Sequence, residues 1–284
     1  MTVLLLATAL GATGCGGGEQ TEDSERGVRI EDPGPVHVHG LGINPADRAL
    51  FIATHTGLFR AAAGEREAER VAGRYQDTMG FTVVGRDRFL GSGHPDGRDD
   101  LPPFLGLIRT DDAGRSWEPV SLLGKRDFHV LEASGRRVYG YGSDFETRQE
   151  GLLVSDDGGR SWRERAVPEP LVSLAIDPEN PDRVLAAGEV GLYSSSDGAR
   201  RWTSLGGEPG LLAWPSGGSV YAVTLDGRVG RSTAAGARWE RIGDTGGPPS
   251  AFDGTGGELY VALHDGTVKR SDDGGRSWVV RSRP

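Results

Sequence analysis

The chain carries 41 acidic and 32 basic side chains among 284 residues, a formal net charge of −9. Nucleic acid or an anionic lipid surface calls for a basic patch, so neither is expected as a partner of the folded part. The single cysteine, Cys15, stands near the N-terminus, so disulfides contribute nothing to the fold and packing must hold it together.

In chain order, Val3–Leu10 is an apolar run far shorter than the ~20 residues that span a bilayer, and it reads as a signal-peptide core. It ends at Ala12-Thr13-Gly14-Cys15, where small residues before a lone Cys resemble a bacterial lipobox. That resemblance implies that residues 1–15 are a signal peptide with Cys15 becoming the lipidated N-terminus. Ala12 stands where the pattern favours Leu, and no Lys or Arg precedes the apolar run. Residues 16–35, opening with GGGEQTEDSERG, read as a flexible acidic tether. The expected location is the extracytoplasmic face of a bacterial membrane, or outside the cell if Cys15 is not lipidated.

The residues after 27 divide into six units of roughly 43 residues each, a period that marks a repeat array. We place them at 36–73, 74–122, 123–167, 168–206, 207–245 and 246–284. Short strand-like runs recur once per unit, among them Leu50–Ala53, Arg137–Tyr141, Arg183–Ala187, Ser219–Val223 and Glu258–Ala262. A second element recurs with them. Ser155–Trp162 reads Ser-x-Asp-x-Gly-x-Ser-Trp, and Thr110–Trp117 and Ser271–Trp278 repeat it. Ser195–Trp202 keeps Asp197 but has Ala199 and Arg201 in the Gly and Ser places, and Ser232–Trp239 has Ala234 for Asp. The five tryptophans are separated by 45, 40, 37 and 39 residues. The first unit lacks this octet.

The octet has the chemistry of a hairpin turn. Its Asp accepts from turn amides, its glycines tolerate positive φ, and its Trp opens the next strand with a large ring to bury. Asp112, Trp117, Asp157, Trp162, Asp197, Trp202, Asp273 and Trp278 are therefore expected to be structural. These octets resemble the Asp-box (BNR) repeats of sialidases, sortilin-type propellers and photosystem assembly factors. The resemblance covers nearly the whole chain beyond the tether and is specific for architecture, since the box itself does no chemistry in those proteins. The expected fold is all-β: one six-bladed β-propeller over 36–284, with Asp-box turns and four antiparallel strands per blade. A monomer is expected.

In a four-stranded blade the D–A and B–C connections share one face, and the Asp-box turns lie on the other. All six histidines map to the face opposite the boxes. His55, His94 and His264 fall in the B–C turns of units one, two and six; His37, His39 and His129 open innermost strands. Superposing the units aligns His39 with Met79, His129 and Val172, which places His, Met and His at one height around the channel. His55 and His94 reach in from the adjoining loops. Imidazole with a thioether suits copper, and imidazole alone suits zinc, nickel or copper. His39, Met79, His129, His55 and His94 are thus the candidate metal ligands, with copper or zinc the expected ion. Long B–C loops at Gly93–Phe104 and Ser143–Gly151 rim the same face. His37, His264, Asp96, Arg98, Tyr141 and Glu146 are candidate ligand-binding residues around it.

Three functions fit. The first is recognition of a ligand, a transition metal among the candidates, at the histidine-rich mouth. The second is a glycoside hydrolase using carboxylates of that face: the stretch from His37 to Glu132 resembles bacterial lipoproteins described as glycosyl hydrolases. The third, implied by the sortilin and assembly-factor resemblance, is a non-catalytic protein-binding platform. Sialidase chemistry finds little support. The Tyr/Phe-Arg-Ile-Pro start reduces to Arg29-Ile30, and the arginines of this face are few: Arg74, Arg98, Arg126 and Arg148. Tyr75 or Tyr141 with Glu146 would have to serve as nucleophile and base.

Overall fold

In a computed structural model, Asp32, residues 34–216 and residues 218–284 are described. The signal peptide, Cys15 and most of the tether lie outside them. Among the described residues no helix is long and apolar enough to cross a membrane.

The strands form six antiparallel sheets of four, each from consecutive segments of chain. The first strand of each sheet lies innermost: Val38–Ile43, Asp77–Gly85, Arg126–Ser134, Leu171–Ile176, Gly210–Ser216 and Pro249–Thr255. Each packs beside the next, and the sixth packs beside the first, so the ring is closed. The fold is a six-bladed β-propeller, with blades I to VI in chain order.

Apolar side chains fill the spaces between blades. Between I and II, Phe51 and Phe81 pack on Phe89 with ring centroids 4.7 and 5.5 Å apart. Between II and III, Leu90, Leu107, Phe128 and Leu153 surround Trp162. Blade VI meets blade I through Tyr260, Ala262 and Val268 against Leu50, Ile52 and Phe59. No strand is shared across this seam among the described residues. Arg281 instead donates from Nη2 to the carbonyls of Ala61 and Ala62 at 3.2 and 2.8 Å, and Ser282 Oγ donates to Arg66 O at 2.8 Å. An ion pair between Arg48 and Glu258 spans the same seam.

The octets are the turns between third and fourth strands. In blade III, Asp157 Oδ1 accepts from Ser155 Oγ at 2.8 Å and from Ser161 N at 2.9 Å, while Oδ2 accepts from Ser161 Oγ at 2.6 Å. Ser155 Oγ in turn accepts from Gly159 N at 2.8 Å. These donors, the Ser161 hydroxyl foremost, hold the Asp157 carboxyl well below the usual carboxylate range. It is ionised and saturated, with nothing left for chemistry. In blade IV, Arg201 Nε donates to Asp197 Oδ2 at 2.8 Å in place of the serine hydroxyl. Blade V keeps only the serine arm, Ser232 Oγ accepting from Ala234 N and Gly236 N at 3.2 and 3.0 Å.

Gly159 sits at φ +84°, and a Cβ there would lie 2.0 Å from Leu107 Cδ2, itself fully buried. Blade IV carries Ala199 at this place with φ +62°, so the dihedral is tolerable and the conflict is steric. Gly159→Ala is expected to lower stability by about 1–3 kcal/mol through overpacking. Urea unfolding checks this, and an unchanged midpoint would refute it.

Candidate functional site

The innermost strands carry the feature that builds the site. In five of the six blades the pairing with the second strand skips one residue near the mouth, a β-bulge. The skipped residues are His39, Met79, His129, Val172 and Ser250. A bulge re-aims one side chain out of the pleat, and all five line a channel cavity of about 320 Å³. His39, Met79 and His129 thus occupy equivalent places around it.

Two aspartates tie the histidines together. Asp77 Oδ1 lies 3.0 Å from His55 Nδ1, and its Oδ2 lies 3.0 Å from His94 Nδ1. Asp127 Oδ2 lies 2.9 Å from His129 Nε2 and 3.6 Å from His94 Nε2. The result is a row, His55–Asp77–His94–Asp127–His129, running across three blades. The His39 ring stands edge-on to His55 at 4.3 Å, and His37 lies 5.6 Å from His55. Ligand atoms of His39, His55 and Asp77 all fall within 4.8 Å of one another. On the far side of His94, Phe104 and Phe145 form an apolar wall, with centroid separations of 5.6 and 5.4 Å.

His39 Nε2 is buried and has no hydrogen-bond partner. Burial, reinforced by repulsion from His55 and opposed by Asp77, pushes its pKa down to about 4. The ring is neutral at any pH above that, with a lone pair uncommitted. His129 moves the other way, raised by its bond to Asp127. Burying a neutral imidazole nitrogen without a partner is costly. A cation held between His39, His55 and Asp77 would satisfy it.

Asp77 and Asp127 are not among the residues singled out from the sequence. Their common place shows once the bulges are known: each stands two residues before a bulge residue, Asp77 before Met79 and Asp127 before His129, as His37 stands before His39. Deeper in the channel lie Glu132 and Asp253, on the innermost strands of blades III and VI. Burial, with a contribution from Asp253, raises the Glu132 carboxyl well above its usual range, and burial pushes Asp253 up to about 6.

The remaining residues predicted from the sequence are spread around the rim. His264 is exposed on its turn in blade VI and takes no part in the row. Asp96 is buried and accepts from Tyr75 N at 2.8 Å and from Arg98 N and Nε at 3.1 and 2.9 Å, locking its own loop. Arg98 also donates to Gly73 O at 2.8 Å. Arg74 pairs with Asp99, Arg126 Nε lies 3.3 Å from Asp144, and Arg148 stacks on Phe145 at 4.8 Å. Three of the four arginines considered for a substrate carboxylate are therefore engaged by loop carboxylates. Tyr141 is buried and its hydroxyl donates to Glu150 Oε2 at 2.7 Å, and burial with that bond raises its pKa to about 12. Its partner is Glu150 rather than Glu146, which is exposed on the blade III loop.

No protein-family model matches the chain. It is 30% identical over 105 residues to the VPS10 domain-containing receptor SorCS2 of Homo sapiens, a stretch covering 35% of this chain and 9% of that one. It is 30% identical over 116 residues to the dispase autolysis-inducing protein of Streptomyces mobaraensis, covering 40% and 29%. The matches span less than a third of the length of either curated relative. Among solved structures it resembles the GH74 xyloglucanase from Xanthomonas campestris (TM-score 0.53, 20% identity, 87% of this chain and 45% of that one). YCF48 from Cyanidioschyzon merolae is also similar (0.51, 14%, 88% and 86%), as is a chain of the nidogen/laminin complex (0.64, 13%, 83% and 93%). At these identities the likeness is one of fold. The box turns, the six four-stranded blades and these fold likenesses agree: the chain is a six-bladed β-propeller with Asp-box turns.

Proposed function

We propose that this propeller binds a transition-metal ion, zinc or copper, at its channel mouth through His39, His55 and Asp77. The observation that carries the reading is the buried, unpartnered Nε2 of His39 on a residue whose ring offers a ligand atom within 4.8 Å of one each from His55 and Asp77. Two imidazoles and one carboxylate form a donor set suited to zinc or copper that leaves a coordination position open. Asp77 also holds His94, the carboxylate–imidazole arrangement that orients ligands around metal sites. We place the protein on the extracytoplasmic face, tethered by lipid at Cys15, on the lipobox pattern. There it would sequester or present the ion.

A second reading, hydrolysis of a glycosidic bond, draws on Glu132 and Asp253, which share one channel and both have raised pKa values, as a general acid requires. The fold likeness to a xyloglucanase is in keeping with it.

Mass-spectrometric metal analysis of the untagged protein after incubation with zinc separates the two. One equivalent is expected in the wild type and none in His39→Ala or His55→Ala, with His264→Ala unaffected. A metal-free wild type would overturn the metal reading and turn attention to glycoside substrates.

A further inference from the structure

We infer that the mouth holds a second, copper-selective ion at Met79, His94 and Asp127, one blade round from the first. This inference rests on the metal reading of the His39 site and extends it.

The first site has a simple composition in propeller terms. It takes the bulge residue of one blade (His39), the B–C turn residue of the same blade (His55), and the aspartate two residues before the bulge of the next blade (Asp77). Advancing each place by one blade gives the bulge residue Met79, the turn residue His94, and Asp127, two residues before the bulge at His129. The ring's rotation thus generates a second donor set from the same rule, with one change: a thioether replaces an imidazole. A third step yields nothing, because Pro170, two residues before the blade IV bulge at Val172, stands where an aspartate would be needed.

Independent observations on Asp127 and His94 favour a cation at the second set. Asp127 is 2% exposed, and its Oδ1 has no hydrogen-bond partner. A buried carboxylate oxygen left unpaired is costly, and a cation would supply the missing partner. The distance from His94 Nε2 to Asp127 Oδ2 is 3.6 Å, too long for a hydrogen bond. It is close to the separation of about 3.4 Å between two ligands of a tetrahedral ion with bonds of about 2.0–2.1 Å. The other nitrogen of His94, Nδ1, is already held by Asp77 at 3.0 Å, which leaves Nε2 turned toward Asp127. His129 bonds to Asp127 at 2.9 Å and completes its orientation.

The substitution of sulfur decides selectivity. Thioether and imidazole favour copper, above all Cu(I), whereas the harder His-His-Asp set accepts zinc equally well. The chain has two methionines, Met1 and Met79, so the one beyond the N-terminus stands at the channel.

The test is anaerobic titration of the full-length, untagged protein with Cu(I) against a competing chelator, and separately with zinc. We expect two equivalents of copper and one of zinc. Met79→Leu and Asp127→Asn should each reduce copper to one equivalent and leave zinc at one. His39→Ala should retain one copper and lose zinc. Copper-edge X-ray absorption should report a sulfur ligand in the wild type that disappears in Met79→Leu, a near-isosteric change. Copper binding at a single equivalent that survives Met79→Leu and Asp127→Asn would overturn the second site and leave the first standing. No binding of either ion would remove both.

Discussion

Phe128→Ala is expected to lower the unfolding free energy by about 3–5 kcal/mol, the cost of a large ring removed from a site that cannot collapse. The ring is fully buried, packs on Trp162 at 5.2 Å, and presses so closely on Gly140 that a Cβ there would lie 2.7 Å from it. Its backbone N–H donates to Ser92 Oγ at 2.8 Å, joining blades II and III. Phe128 also lies between Asp127 and His129, which bond to each other at 2.9 Å, His129 lining the channel. The cavity therefore loosens the anchor of both, and metal retention should fall together with stability. Urea unfolding with an unchanged m-value checks the first effect, and metal analysis of the folded variant checks the second. A loss below about 1 kcal/mol would contradict the packing account.

Asp253→Asn is expected to stabilise the protein at pH 7–8 and to do little at pH 4. The sign follows from linkage. Burial raises the folded pKa of Asp253 from 3.8 to about 6, so the native state binds a proton more tightly than the unfolded chain. That contribution is fully present at low pH and is lost as pH rises from about 3.8 through 6. Above pH 6 the native channel holds a poorly solvated carboxylate in the same cavity as Glu132, whose own carboxyl is raised by burial and by Asp253. An amide removes the charge, which is expected to recover about 1–2 kcal/mol at neutral pH, less than the full linkage value because the channel admits water. Thermal melts of both proteins at pH 4 and 7.5 measure it. Equal differences at the two pH values would show that Asp253 titrates normally. The same variant bears on the glycosidase reading: it should abolish any hydrolytic activity but leave metal binding intact.

The octets were legible because everything that makes them is local. A serine, an aspartate two residues on and glycines after it bond to one another across a single turn, so the motif reads as a turn in any context, and its recurrence sets the period of the blades. The worn copies show the tolerance of that logic: Arg201 serves Asp197 where a serine usually does, and blade V holds its turn with Ser232 alone. The alternation of strands then assigned faces, which is why all six histidines could be placed on the mouth side. Aligning units even matched His39 with Met79 and His129, because equivalent places in a repeat share their backbone geometry.

That geometry includes a bulge, and no residue type in these strands announces one. Asp77 lies 22 residues from His55 and 17 from His94, a spacing set by two loops and a ring rotation rather than by any motif. The pairing of Tyr141 with Glu150 instead of Glu146 depended in the same way on which residues of a long loop close the strand pair. The amino-acid sequence by itself determined the repeat, the number of blades and the face that bears the imidazoles, since local turn chemistry and strand alternation suffice for these. Only the tertiary structure decided which carboxylates join those imidazoles into one row and left His39 Nε2 and Asp127 Oδ1 without partners. Those relations arise where three blades converge on one axis, between side chains that are neighbours in no stretch of chain.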